Sequence, residues 1–237
     1  MVGKETDDKE KRTQPMNEIS ASGPSCRLYL VTPPRFEIDV FADALSEALD
    51  AGDIACVQLR LKGVGDDEIR RAAERLRPLV HARDVAFLMN DRPDLALETG
   101  CDGVHIGQDD SDYARARGIL GADAFIGMTC HDSRHLAINA AEAGANYIAF
   151  GAFFPTTTKE AKGHPGPEIL TWWREIGNIP AVAIGGINAA NAPQLVRAGA
   201  DFLAVLSAIW DHGQGPAEAA KELNGAIDAA LTEENPA

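Results

Sequence analysis

In the stretch Val57-Gln58-Leu59-Arg60-Leu61-Lys62, polar and apolar residues alternate. Side chains alternate across a strand, so Gln58, Arg60 and Lys62 share one face while Val57, Leu59 and Leu61 take the other. The apolar set suits packing on helices. The polar face then carries two cations, which inside a fold need carboxylate partners or an anionic ligand. Farther along, Leu88-Met89-Asn90-Asp91 and Gly103-Val104-His105-Ile106-Gly107-Gln108-Asp109-Asp110 end in acids, and Asp91 and Asp110 stand 19 residues apart. Two carboxylates held close repel unless a proton or a metal lies between them. Hard oxygen donors suit Mg2+, which commonly takes one or two carboxylates together with substrate phosphates. Each of the two acids also precedes a helix-like stretch, where a simple N-cap would account for it. Spacing leaves both readings open.

Two more segments carry groups that bind anions. Pro155-Thr156-Thr157-Thr158-Lys159 offers three hydroxyls and an ammonium, which suit an oxyanion or a plain turn. Ala183-Ile184-Gly185-Gly186-Ile187-Asn188 has paired glycines that let backbone come close to a ligand. Val205-Leu206-Ser207-Ala208-Ile209 could add backbone amides at a helix start. His105 and His131 fit either polar site residues or structural histidines, whereas His81, His135, His164 and His212 read as helix or loop surface. Trp172 and Trp173 read as core or subunit contact. No Ser/His/Asp order, Walker loop or HExxH run is present.

The elements that must hold these groups follow a regular rhythm. Short apolar runs at Arg27–Val31, Cys56–Arg60, Ala86–Asn90, Gly103–Ile106, Phe125–Thr129, Tyr147–Gly151, Ala181–Ile184 and Phe202–Val205 predict eight strands. Helical spacing predicts helices around Phe41–Leu49 and over Asp66–Arg83, Ser133–Gly144, Pro167–Glu175, Asn188–Gly199 and Pro216–Leu231. Phe41, Leu45 and Leu49 share one face of the first of these. Alternation of this kind requires parallel pairing through crossovers. The 212 residues from Cys26 onward give about 26 per unit, so residues 26–237 are expected to form a single (β/α)8 TIM barrel. A doubly wound sheet would want a glycine-rich first turn, and here that turn reads Thr32-Pro33-Pro34-Arg35. A barrel gathers the C-terminal strand ends at one mouth, and the loops after its last two strands are the usual phosphate site.

With 22 Lys+Arg against 36 Asp+Glu, the chain has a formal net charge of −14. That excludes a general nucleic-acid binder and a polybasic membrane-surface protein, both of which need clustered cations. It leaves small phosphorylated ligands open, because at physiological salt surface charges are screened over about 8 Å. No apolar run reaches the roughly 20 residues of a membrane span. Residues 1–25 hold four basic and five acidic residues with no apolar core, which predicts a solvated, disordered extension and no secretory signal. Cys26, Cys56, Cys101 and Cys130 show no CxxC pair, so buried free thiols and a cytoplasmic location are expected.

Taken together, these segments resemble the thiamine-phosphate synthase family over nearly all of residues 27–230. The likeness is carried by Leu28-Tyr29-Leu30-Val31-Thr32, the Gln58/Arg60/Lys62 alternation, Asn90-Asp91-Arg92, Gly103-Val104-His105-Ile106-Gly107-Gln108 with Asp110, Pro155-Thr156-Thr157-Thr158-Lys159, and Ala183-Ile184-Gly185-Gly186-Ile187. The resemblance implies condensation of hydroxymethylpyrimidine diphosphate with hydroxyethylthiazole phosphate, giving thiamine phosphate and pyrophosphate. By similarity, Gln58, Arg60, Lys62 and Asn90 would bind the pyrimidine diphosphate, and Asp91 and Asp110 would hold Mg2+ on it. Lys159 would act on the departing pyrophosphate, with Arg60 and Lys62 beside it. Thr156, Thr158, Gly186 and Ser207 would contact the thiazole phosphate, and Thr129 stands where the family usually has a serine near the pyrimidine. Members of the family can be oligomeric. Departures are Leu61 in place of a common Glu, Pro33 in place of an acid, and a different loop at Glu160–Pro167. The rival readings are a thiazole tautomerase on the same barrel, which should lack the second aspartate and the Pro-Thr-x-Thr-Lys loop, and a non-catalytic phosphate-binding barrel.

Overall fold

A computed structural model describes residues 25–108, 112–156 and 163–234. The extension expected over 1–25 therefore lies, except for Ser25, outside the described residues, as do Asp110, Thr158 and Lys159. Eight parallel strands close into a barrel in sequence order. They are β1 (Arg27–Val31), β2 (Ile54–Leu59), β3 (Ala86–Asn90), β4 (Gly103–Ile106), β5 (Phe125–His131), β6 (Tyr147–Gly151), β7 (Ala181–Ile184) and β8 (Phe202–Val205). Between and after them run α1 (Ile38–Ala51), α2 (Asp66–His81), α3 (Pro93–Thr99), α4 (Tyr113–Leu120), α5 (Arg134–Ala143), α6 (Glu168–Ile176), α7 (Ala192–Arg197), α8 (Ser207–Trp210) and α9 (Pro216–Glu234). Six strands keep the bounds that their apolar runs predict. β2 begins two residues earlier than expected and stops at Leu59, leaving Arg60 and Lys62 just past the strand, and β5 continues to His131.

The helices form for local reasons. α2 has Asp66, Asp67 and Glu68 in its first turn, where the helix dipole favours acids, and it buries Ala72, Ala73, Leu76 and Val80 on one face. α3 and α4 are the helix-like stretches expected after Asp91 and Asp110, and at 7 and 8 residues they are too short for periodicity to set their bounds. Each carries a clear boundary signal: Pro93 at the start of α3, and Asp112 accepting from the Arg115 amide at the start of α4. α7 starts later than Asn188 because Asn188 Oδ1 accepts from the amides of Ala190 and Asn191, a turn that competes with the helix.

Two apolar layers result. Strand residues that point outward, among them Val57, Leu59 and Phe87, pack under the helices, and Leu61 joins them just beyond β2. This is the side to which the alternation assigned it. Inward residues, including Tyr29, Leu88, Phe125, Tyr147 and Phe202, fill the barrel. All four cysteines are buried free thiols. Trp173 is core, and Trp172 lies beneath the Arg134 guanidinium.

At the opposite end from the mouth, one device recurs. The residues directly before β2, β4, β6 and β8 are Asp53, Asp102, Asn146 and Asp201. Asp102 accepts from the Phe87 amide, Asn146 from that of Ile126 and Asp201 from that of Ala181, satisfying donors near the starts of β3, β5 and β7. Asp53 instead pairs with the Arg27 side chain on β1. His81, expected on the surface, is largely covered because its ring bonds the buried Asp102 carboxylate at 2.9 Å.

Burial pushes the Asp201 carboxyl up to about 6, against the hydrogen bond it accepts. The folded state therefore holds a proton that the unfolded chain has released, and the contribution of this site to stability falls as pH rises from about 4 to about 6. Asp201→Asn keeps an acceptor for the Ala181 amide. The stability difference between wild type and this variant should shift against the wild type by about 3 kcal/mol across that window and stay flat above it, as read by denaturation at a series of pH values. A difference independent of pH would contradict this.

Candidate active site

The C-terminal strand ends open into a cavity of about 340 Å³. On the β2–β4 side its wall carries Arg60, Lys62, Asn90, Asp91 and His105; across the mouth stand Thr156, Gly185, Gly186 and Ser207. Gln58 and Thr129 line it between them. Of the sequence-derived candidates that are described, all nine thus meet in one place: Gln58, Arg60, Lys62, Asn90, Asp91, Thr129, Thr156, Gly186 and Ser207. Pro155, Thr156, Gly186 and Ser207 also enclose a smaller recess beside the main cavity.

Among the described residues that line the cavity, Asp91 is the only carboxylate. Its Oδ2 lies 2.5 Å from Lys62 Nζ and 2.5 Å from Asn90 Nδ2. Its backbone sits in the left-handed region at φ +62°, and its amide donates to the His105 carbonyl. That conformation is costly for a residue other than glycine, though mildest for Asn and Asp, and here it turns the carboxylate toward Lys62. The N-cap of α3 is Arg92, so capping does not explain Asp91. Arg92 instead forks between Asp66 and Asp94, which together hold its guanidinium pKa far above the usual value. It is thereby committed to the wall. Arg60 is set by its own amide, which donates to Thr32 Oγ1.

The paired glycines have a packing cause beside the one their sequence suggests. A Cβ on Gly185 would fall 2.4 Å from Ala152 Cβ, and one on Gly186 would fall 2.5 Å from the Pro155 carbonyl oxygen. Both also have positive φ, +109° and +64°. The glycines let the loop after β7 lie against the loop after β6, and that contact shapes the mouth. α8 is a single four-residue turn starting at Ser207.

The floor adds two tyrosines to which residue order assigned no role. Tyr29 and Tyr147, both buried, bond through their hydroxyls at 3.0 Å. Gln58 Nε2 donates to Tyr29 at 2.8 Å. His105 bonds Tyr147 through Nδ1 at 3.0 Å and Thr129 through Nε2 at 2.8 Å. The available signal was phase: Tyr29 and Val31 share a face of β1, as do Tyr147 and Ala149 of β6.

Residues 28–209 match the family model described as thiamine monophosphate synthase. The chain belongs to the thiamine monophosphate synthase family. A relative from Rhodospirillum centenum named thiamine-phosphate synthase is 63% identical over 199 residues, covering 84% of this chain and 96% of its own. A second of that name, from Hyphomonas neptunium, is 45% identical, covering 90% and 99%. The solved thiamine phosphate pyrophosphorylase from Pyrococcus furiosus superposes with a TM-score of 0.77 at 32% identity, covering 86% of this chain and 96% of its own. The thiamine monophosphate synthase model thus spans β1 to α8, the whole of the barrel's strand set.

Proposed function

We propose that the chain condenses hydroxymethylpyrimidine diphosphate with hydroxyethylthiazole phosphate, releasing pyrophosphate and thiamine phosphate. The observation that carries this is the two-sided mouth. Cations and one carboxylate stand on the β2–β4 side, hydroxyls and glycine backbone stand on the β6–β8 side, and a polar floor lies between. That arrangement suits two phosphorylated substrates entering from opposite flanks with their rings meeting in the middle. Family membership and the names of the relatives support the same reaction. Among the described residues no helix is long and apolar enough to cross a membrane.

The pyrimidine ring stabilises a cationic methylene through its amino group, so the diphosphate can depart before the thiazole nitrogen attacks. No protein nucleophile is then needed. What the protein must do is neutralise the leaving group with charges fixed beforehand. Arg60 and Lys62 do this from the end of β2, and Lys159, which follows β6 in the chain, supplies a third cation. Gln58, Asn90 and Thr129 orient the pyrimidine, while Thr156, Thr158, Gly186 and Ser207 hold the thiazole phosphate.

The donor set fits Mg2+. Asp91 is a hard oxygen donor fixed at the mouth. Among the described residues no group of three or more His, Cys, Asp or Glu could hold a metal ion. Mg2+ commonly takes one or two carboxylates, which here would be Asp91 and Asp110, and completes its shell with phosphate oxygens and water. Bound there, Mg2+ would screen the charge that grows on the pyrophosphate.

Incubation with both substrates and Mg2+ should yield thiamine phosphate; thiazole isomerisation without condensation would overturn the reading. Lys159→Ala should lower kcat by about 10²-fold and substrate affinity much less, because its charge matters most as the leaving group separates. Unchanged kcat would remove Lys159 from that role.

A further inference from the structure

We infer that Tyr29, Tyr147 and His105 are positioning residues that fix the hydrogen-bond polarity of Gln58 and Thr129, and thereby select a 4-aminopyrimidine over a 4-oxopyrimidine. The inference rests on the pyrimidine reading above and extends it to a source of specificity. Five side chains form an unbroken chain across the barrel from Gln58 through Tyr29, Tyr147 and His105 to Thr129. Burial pushes both phenols well above their usual pKa, so each stays neutral and carries one proton.

One proton per phenol makes the chain directional. Gln58 Nε2 donates to the Tyr29 oxygen, so the Tyr29 proton goes on to Tyr147. The buried Cys56 thiol beside Tyr29 is a weak acceptor and competes poorly for it. Tyr147 then donates to His105 Nδ1, which places the imidazole proton on Nε2, and Nε2–H donates to Thr129 Oγ1. With its oxygen accepting from His105, the Thr129 hydroxyl directs its own proton into the cavity. At the other end, Gln58 has committed its amide nitrogen and keeps Oε1 as an acceptor. No hydrogen bond to Oε1 occurs among the described residues.

The cavity thus presents an acceptor at Gln58 and a donor at Thr129. A 4-aminopyrimidine offers the complement, an exocyclic amino donor beside an unprotonated ring nitrogen. A 4-oxopyrimidine reverses both, with a carbonyl where the amine was and a ring N–H where the lone pair was. Gln58 and Thr129 alone could rotate to suit either ring. The tyrosines and the histidine hold them in one sense.

The test is calorimetric binding of the 4-amino and 4-oxo forms of hydroxymethylpyrimidine diphosphate to wild type, Tyr147→Phe and Tyr29→Phe, with ¹⁵N NMR of histidine-labelled protein. Wild type should prefer the amino form, with His105 in the Nε2–H form. Tyr147→Phe removes the donor to Nδ1, so the preference should fall by about 10- to 100-fold and the ring should populate both tautomers. Tyr29→Phe removes the donor that directs Tyr147 but leaves Tyr147 against Nδ1, so it should lower the preference less and loosen the tautomer of His105 only in part. A merely structural role would weaken both ligands together and leave their ratio intact. An unchanged ratio in both variants, or an Nδ1–H imidazole in wild type, would overturn the inference while leaving the reaction standing. Failure of wild type to bind either diphosphate would overturn the pyrimidine reading and the inference with it. Should Tyr147→Phe not fold, the Tyr29→Phe ratio and the wild-type tautomer decide the matter by themselves.

Discussion

Replacing Asp91 by asparagine should leave the barrel folded and lower turnover by about 10²–10³-fold. Asparagine is nearly isosteric and, like aspartate, tolerates the left-handed backbone at this position, φ +62°. The local turn, the amide donated to His105 and the packing are therefore retained. What disappears is a charge. Its loss affects two things together: the hard oxygen donor proposed for Mg2+, and the partner that holds Lys62 Nζ at 2.5 Å. Steady-state rates across an Mg2+ titration separate the two. Loss of the metal ligand should raise the Mg2+ concentration that gives half-maximal rate, whereas release of Lys62 alone should lower kcat with the Mg2+ dependence intact. Asp91→Ala should lose the same activity and also melt lower, by about 1 kcal/mol, since alanine tolerates positive φ poorly. Wild-type turnover in Asp91→Asn at every Mg2+ concentration would remove this carboxylate from the chemistry.

The second large effect is expected at Gly127, within β5 and buried inside the barrel. A Cβ there would lie 1.9 Å from Tyr147 Cζ and 2.3 Å from both neighbouring ring carbons. The ring cannot swing away, because it is 1% exposed and its hydroxyl is bonded to Tyr29 and His105. Gly127→Ala should therefore destabilise the protein by about 1–3 kcal/mol through overpacking, lowering the melting temperature by about 2–4 °C for each of them. It should also impair binding of the pyrimidine diphosphate, because a displaced Tyr147 breaks the chain that ends on Gln58 and Thr129. Gly225→Ala makes the comparison informative. That glycine lies in α9 with nothing within 4 Å of the added methyl, and the change should raise stability by about 1 kcal/mol. Equal and small effects at the two positions would show that the floor is looser than the contacts imply.

Much of this was legible from residue order, for a physical reason in each case. A parallel barrel strand is buried on both faces, so it appears as a short apolar run between turns, and six such runs marked their strands to the residue. Where a strand reaches the mouth, only its inward positions turn polar. That is why the Gln58, Arg60 and Lys62 alternation marked the cavity wall and assigned Leu61 to the helices. The helices after Asp91 and Asp110 were given no bounds because 7 or 8 residues carry too few turns to display a periodic face.

What the order of residues alone determined is the class of fold, the rim on which chemistry must sit, and the residue types gathered there. These follow from period-two and period-3.6 patterning, which is local. Only the closed barrel decided what those residues do to one another. The two tyrosines stand 118 residues apart and looked like ordinary strand aromatics until closure brought their hydroxyls to 3.0 Å. Gly185 and Gly186 suggested a ligand cradle, yet their missing side chains first make room for the Ala152–Pro155 backbone. Asp91 offered a cap or a metal ligand with equal ease until its left-handed turn and its bonds to Lys62 and Asn90 faced it into the cavity. Contacts between distant strands depend on shear, twist and closure, which no short window of sequence contains.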